Sequence, residues 1–76
     1  SLRQIIAELL RRNRGLRLVI SAVTLETLAE ASACLAEFAF TQVEIVQVAV
    51  SRAKTAGAYH LLAAQNPVFI LSGVGQ

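Results

Sequence analysis

The chain has 76 residues, 55% of them hydrophobic and 16% charged, and its seven Lys/Arg against five Asp/Glu give a net charge of +2. That is too apolar for a disordered segment and too short for more than one domain, so residues 1–76 are expected to form at most one partial domain. A chain of this size hides only about 60% of the surface its unfolded form exposes, so apolar surface should be left over for a partner or for further chain. No run of about 18 apolar residues escapes a charge, Gly or Pro, and Ser1-Leu2-Arg3-Gln4 does not open a signal peptide. A lone Cys34 and a lone His60 offer neither an internal disulfide nor a zinc set. We therefore expect no membrane association, no metal and a reducing, cytoplasmic setting.

Leu2, Ile5, Ile6, Leu9 and Leu10 recur at helical spacing, with Arg3, Gln4, Glu8, Arg11 and Arg12 opposite them, which predicts an amphipathic helix stopped at Gly15. Arg11, Arg12, Arg14 and Arg17 crowd its end. They suit a solvated helix C-terminus, where positive charge is favoured. Nucleic-acid binding would call for aromatic residues interleaved among them, and Phe38, Phe40, Tyr59 and Phe69 lie elsewhere, so no nucleic-acid partner is expected.

Leu16 to Val23 is a nearly unbroken apolar run rich in β-branched residues, which reads as an interior strand covered on both faces. Thr24 can cap a following helix from about Leu25 to Ala39, with Glu26 in its first turn and Leu28, Ala31, Cys34, Leu35 and Phe38 on its buried stripe. A thiol in that stripe is a packing group with little nucleophilicity, since no histidine adjoins it. Val43 to Val50, interrupted by Glu44 and Gln47, reads as a more exposed strand nearer an edge, and Val68 to Ser72 as a third strand entered through Asn66-Pro67. Between them lies a long connection, Ser51 to Gln65, carrying Arg52, Lys54, Tyr59 and His60; loops of this length tend to be functional. Tyr59 to Gln65 can be read as helical and Ala53 to Ala58, with Gly57, as a turn or an extended arm.

Two segments, Ser21-Ala22-Val23-Thr24-Leu25-Glu26-Thr27 and the stretch from Val50-Ser51-Arg52-Ala53-Lys54 through Tyr59-His60 to Asn66-Pro67-Val68-Phe69-Ile70, resemble the C-terminal part of the precorrin-6 methyltransferases of cobalamin biosynthesis. These are the decarboxylating C15-methylating enzymes and the matching half of the fused C5,15 form. The resemblance implies an α/β fold: the C-terminal portion of a class I S-adenosylmethionine-dependent methyltransferase (Rossmann-like) sheet, with three strands and two helices. In that topology Val68 to Ser72 lies between the other two strands and antiparallel to both. It also implies S-adenosylmethionine as cofactor, bound by chain outside these residues, because Gly15, Gly57, Gly73 and Gly75 form no strand-to-helix cofactor loop.

The implied substrate is a tetrapyrrole bearing many carboxylates, methylated at a ring-bridging carbon and decarboxylated on an acetate side chain. Ligands in such sheets bind beyond the C-terminal ends of the parallel strands. That places Thr24 and Glu26 at the rim, and Arg52, Lys54 and His60 on the connection as groups to hold or protonate carboxylate-bearing parts of the substrate. Each has a plainer reading: Thr24 as helix cap, Glu26 as dipole partner, Arg52 and Lys54 as solvated charges, His60 as a packing residue. The resemblance further implies a homo-oligomer, tetrameric in the family, assembled through the 51–65 arm. The sequence departs from the family pattern at Ser21, where Asn is usual, and at Ala53-Lys54-Thr55, where a Gly-Lys-Lys-like run is usual. The competing classes are a free-standing αβαββ interaction module without catalysis and a small nucleic-acid binder; neither accounts for the paired 22–27 and 66–70 segments.

Overall fold

Two helices and five strands follow one another as α1 (Leu2–Arg12), β1 (Arg17–Ala22), α2 (Leu25–Glu37), β2 (Thr41–Val48), β3 (Ser51–Ala56), β4 (Tyr59–Ala64) and β5 (Val68–Val74). The computed structural model describes residues 1–49, 51–56, 59–64 and 67–76, with 51–56 and 59–64 described in their backbone alone. No helix among the described residues is long and apolar enough to cross a membrane.

The main sheet has the order β1-β5-β2, with β5 antiparallel to both neighbours, as the resemblance implied. Alternation sorts each strand into two faces. Leu18, Ile20 and Ala22 of β1 share a face with their partners Gly73, Leu71 and Phe69 of β5, and α1 and α2 lie against that face. The core there comprises Ile6, Ala22, Ala31, Cys34, Leu35, Phe40 and Leu71, with Leu71 fully buried at its centre. The buried stripe expected of α2 is found: Ala31, Cys34 and Leu35 are buried, and Leu28 and Phe38 pack against them.

Both helices are capped as their sequences dictate. Thr24 begins α2, and Asn13 ends α1 two residues before the expected Gly15. Arg3 of α1 reaches Glu37 of α2 through Nε, 3.0 Å from each carboxylate oxygen, and lies 5.8 Å from the centre of the Phe38 ring. Gly75 then tucks the chain end beneath the α1–β1 turn. Its N–H donates to the Leu16 carbonyl at 2.7 Å, and a Cβ there would stand 2.5 Å from Leu10 Cδ2 and 2.8 Å from the Arg14 carbonyl.

Two expectations are corrected. In its described parts the 51–65 connection is not helical at Tyr59–Ala64, and its extended 51–56 segment is a paired strand: β3 and β4 form an antiparallel hairpin registered from Ser51↔Ala64 to Ala56↔Tyr59, a two-stranded sheet in addition to the expected three-stranded one. A mostly polar 51–56, with Ala at 53 and 56, pairs with an apolar-rich 59–64, a pairing that either segment read alone does not disclose. Residues 57–58 and 65–66 lie outside the described residues. Secondly, β1 is not covered on both faces. Its alternate residues Arg17, Val19 and Ser21 are exposed, Val19 by 62%, and β2 is exposed along its whole length. The stripe of α1 is likewise half used, with Ile6 buried but Ile5 58% exposed.

Ala39 and Gln42 flank the entry to β2 with φ of 55° and 53°, and the register of β2 slips between Thr41 and Glu44. A non-glycine residue in the left-handed region costs about 1–2 kcal/mol. Ala39→Gly should therefore raise stability by roughly 0.5 kcal/mol after glycine's own entropic cost, whereas Leu71→Ala should lower it by about 3 kcal/mol through the cavity it leaves. Denaturant midpoints of the two variants check both signs.

Candidate functional site

The antiparallel return of β5 fixes where the chemistry-bearing segments meet. Ala22 at the end of β1 pairs with Phe69, and Val48 at the end of β2 pairs with Val68, so the ends of both parallel strands and the start of β5 form one edge of the sheet. The 23–26 turn leaves this edge into α2. The hairpin departs from it after β2 and returns to it before β5. Two segments far apart in sequence thus share one rim, at the position where α/β sheets bind ligands.

Thr24 caps α2 from extended backbone, φ −124° and ψ 156°; its Oγ1 accepts from the Thr27 N–H at 3.1 Å, and its hydroxyl donates to Thr27 Oγ1 at 2.9 Å. Glu26 follows in the first turn, exposed, where the helix dipole favours its charge. Ser21 is exposed on the open face beside Ile70. On the hairpin, Arg52 is opposite Ala63, one pair from the root; Lys54 is opposite Leu61; His60 is opposite Thr55, next to the tip. Arg52 and Lys54 are alternate residues and share one face of the ribbon, while His60 falls on the other. Thr24 and Glu26 are therefore brought to the root of the segment that carries Arg52 and Lys54, whereas His60 lies about four residues, or roughly 13 Å of strand, further out. The side chains of Arg52, Lys54 and His60 lie outside the described residues.

Sequence reasoning missed two apolar residues at this rim. Val23 is 66% and Leu25 73% exposed, the highest values among the described large hydrophobic residues. Val23 closes an apolar run and Leu25 opens a helix, so neither is set apart in the sequence from residues that pack inward.

The remaining candidates resolve as structural groups. Cys34 is buried, and desolvation, then the nearby Glu30 and Glu37 carboxylates, push its thiol pKa up. Arg11 and Arg12 of the basic cluster both bind Glu8, at 2.8 and 3.0 Å, and hold its carboxyl below the usual carboxylate range. A half-open cavity of about 320 Å³ lies at the opposite end of the sheet, between Arg17, Gln42, Glu44 and Ser72, remote from the 23–26 turn and the hairpin root. Among the described residues no three His, Cys, Asp or Glu converge as a metal site.

No protein-family profile matches the chain. It is 34% identical over 61 residues to a probable cobalt-precorrin-6B C(15)-methyltransferase (decarboxylating) of Saccharolobus solfataricus, a match covering 80% of this chain and 31% of that protein. In structure it is similar to the precorrin-6Y C5,15-methyltransferase of Geobacter metallireducens, with 32% identity, a TM-score of 0.83, and 97% of this chain covered against 39% of that one. The precorrin-8W decarboxylase of Methanobacterium thermoautotrophicum gives the same TM-score of 0.83 at 26% identity, over 95% of this chain and 39% of its own. The chain thus spans about a third of the curated relative and two fifths of the solved structures.

A sheet ordered β1-β5-β2, closed by an antiparallel last strand, with helices on one face, is the C-terminal portion of a class I S-adenosylmethionine-dependent methyltransferase sheet. Within that class, sequence and fold agree on one family: the chain matches part of the precorrin-6 methyltransferases, the precorrin-6Y C5,15 and cobalt-precorrin-6B C15 enzymes.

Thr24→Ala should cost about 1 kcal/mol of stability through the lost cap, and Cys34 should react with iodoacetamide only at the rate of unfolding. Thermal melts and mass-detected alkylation check the pair; rapid alkylation of the native protein would contradict the buried thiol.

Proposed function

We propose that this chain is the substrate side of a cobalamin-pathway methyltransferase that methylates and decarboxylates a precorrin-6 intermediate, and that it also carries contacts for a homo-oligomer. The observation that supports the reading most is the convergence of the 23–26 turn and the hairpin root on one sheet edge, in a chain whose relatives bear precorrin methyltransferase names.

The described residues do not fit the methyl donor. Gly15 lies between a helix and a strand, Gly73 and Gly75 end the last strand, and the strand-to-helix turn at Val23-Thr24 holds no glycine, so a cofactor loop has no counterpart among them. S-adenosylmethionine is assigned to other parts of the whole protein.

What these residues supply is grip. The precorrin carries carboxylates around its rim; Arg52 takes one in a bidentate pair and Lys54 another as a point charge. The Glu26 carboxylate would repel such groups, and its productive contact is with a ring N–H. Loss of CO2 from an acetate arm breaks the bond to the carboxyl carbon and leaves its electron pair on the methylene carbon, which then takes up a proton; His60 is the candidate donor. Arg52 and Lys54 must sit away from the departing carboxylate, since stabilising that anion would slow its loss.

A two-stranded hairpin is marginal in water by itself. We assign its ordering to neighbouring copies, in a homo-oligomer that buries the ribbon, and the open edge of β1 to a preceding strand of the same sheet.

In the complete polypeptide, supplied with the methyl donor and a precorrin-6 intermediate, mass spectrometry should record the gain of one methyl group and the loss of one carboxyl group. Arg52→Gln should raise KM by roughly tenfold or more, the value of one lost charge-assisted pair, and His60→Gln should slow decarboxylation while sparing methylation. Turnover without change in either variant would remove the hairpin from the site, and a monomer by sedimentation at tens of micromolar would remove the oligomer.

A further inference from the structure

We infer that Val23 and Leu25 form an apolar seat for the face of the tetrapyrrole ring, an assignment that rests on the reading proposed above and gives the site its specificity for a macrocycle over a simple polycarboxylate.

The argument begins with what these two side chains do not do. Val23 immediately precedes the cap of α2, where an apolar residue commonly closes a staple onto the fourth residue of the helix, here Leu28. Leu28 packs against the core, yet Val23 remains 66% exposed. Leu25, the first residue of the helix, is 73% exposed. Neither contributes to the core of this chain. Burying either stabilises whatever buries it.

Their position separates them from the other exposed apolar residues. Val19 and Val46 lie within the paired body of the open sheet face, where layered α/β domains place their covering elements. Val23 and Leu25 lie past the last paired residue of β1, beyond the strand end, where such sheets place ligands. Val68 and Val48, paired at the ends of β5 and β2, continue an apolar row across the same edge. With strands about 4.8 Å apart, that row is about 10 Å across. It ends at the root of the ribbon that carries Arg52 and Lys54.

Apolar strip and cations together match an amphiphile of one kind: a broad apolar ring with anionic groups on its perimeter. Glu26 sharpens the match. Its carboxylate occupies the first turn of α2, so the helix N-terminus does not attract the perimeter anions, and they are left to the ribbon.

The test uses the complete polypeptide and uroporphyrin, an octacarboxylate tetrapyrrole whose fluorescence reports binding, with butane-1,2,3,4-tetracarboxylate as a ring-free competitor. Leu25→Ser and Val23→Ser should each weaken uroporphyrin binding by about tenfold, leave the competitor's inhibition constant unchanged, and leave the melting temperature equal or higher. Arg52→Gln should weaken both ligands. Unchanged uroporphyrin affinity in both serine variants overturns the seat, as does a lowered melting temperature, which would show that another part of the protein covers these residues. A wild-type protein that binds no tetrapyrrole removes the proposed function first, and the seat with it; binding by the wild type with equal binding by the variants removes the seat alone.

Discussion

The return of β5 between β1 and β2 is the constraint from which the rest follows. Two parallel strands joined through α2 leave a gap one strand wide, and filling it with an antiparallel strand satisfies the inner hydrogen-bonding edges of both. Leu71 fastens this arrangement. It lies opposite Ile20 on one side and Ile45 on the other and is fully buried beneath the helices. Because β5 must start where β2 ends, residues 49–67 have to leave and re-enter at the same edge, and a hairpin is the shortest hydrogen-bonded path that does so. The placing of Thr24 and Glu26 at the same sheet edge as the root of the ribbon is thus a result of topology and needs no particular side-chain contact.

Among the described residues the same sheet is covered on one face alone. Doubly wound sheets carry helices on both sides, and here α1 and α2 occupy one while Val19, Val46 and Val48 stand exposed on the other. A chain of this length packed as a globule has a radius of gyration of about 11 Å, whereas this one has 16.8 Å and extends 56 Å along its longest axis, with β3 and β4 forming a sheet separate from the main one. A composition 55% hydrophobic accompanies this exposed apolar surface, and the relatives are between two and a half and about three times as long as the matched portion.

Much of this was legible in the sequence. Helical spacing in α1 and α2, the Thr24 cap and the β-branched runs each follow from local chemistry that the surroundings reinforce. The order of the three main strands came from the family resemblance, since periodicity gives strand positions but not neighbours. Two things were hidden. Tyr59–Ala64 has the Leu and Ala content of a helix, and only its pairing with Ser51–Ala56 makes it a strand, a tertiary decision that propensity cannot anticipate. Exposure on β1 was hidden for the opposite reason. Leu16 to Val23 has the composition of a strand buried on both sides, as it would be within a complete fold, so the sequence described surroundings that these residues do not supply. Val23 was lost at the end of that same run, and Leu25 in the first turn of the helix after it.

On the proposed reading, association and substrate binding are one equilibrium seen twice. Arg52 and Lys54 sit on a ribbon that is marginal alone, and a ligand that binds only the ordered ribbon has its apparent affinity reduced by the fraction of molecules in which the ribbon is ordered. Neighbouring copies that order the ribbon raise that fraction, and a bound polycarboxylate, by linkage, favours assembly to the same degree. The turn at Thr24 is different. Its cap hydrogen bonds and its seat on α2 are in place within the single chain, so its share of recognition carries no such cost. The site divides into a rigid lip built by the sheet and a charged arm whose competence depends on its neighbours, and a substrate with an apolar ring and an anionic rim engages each half with a different part of itself.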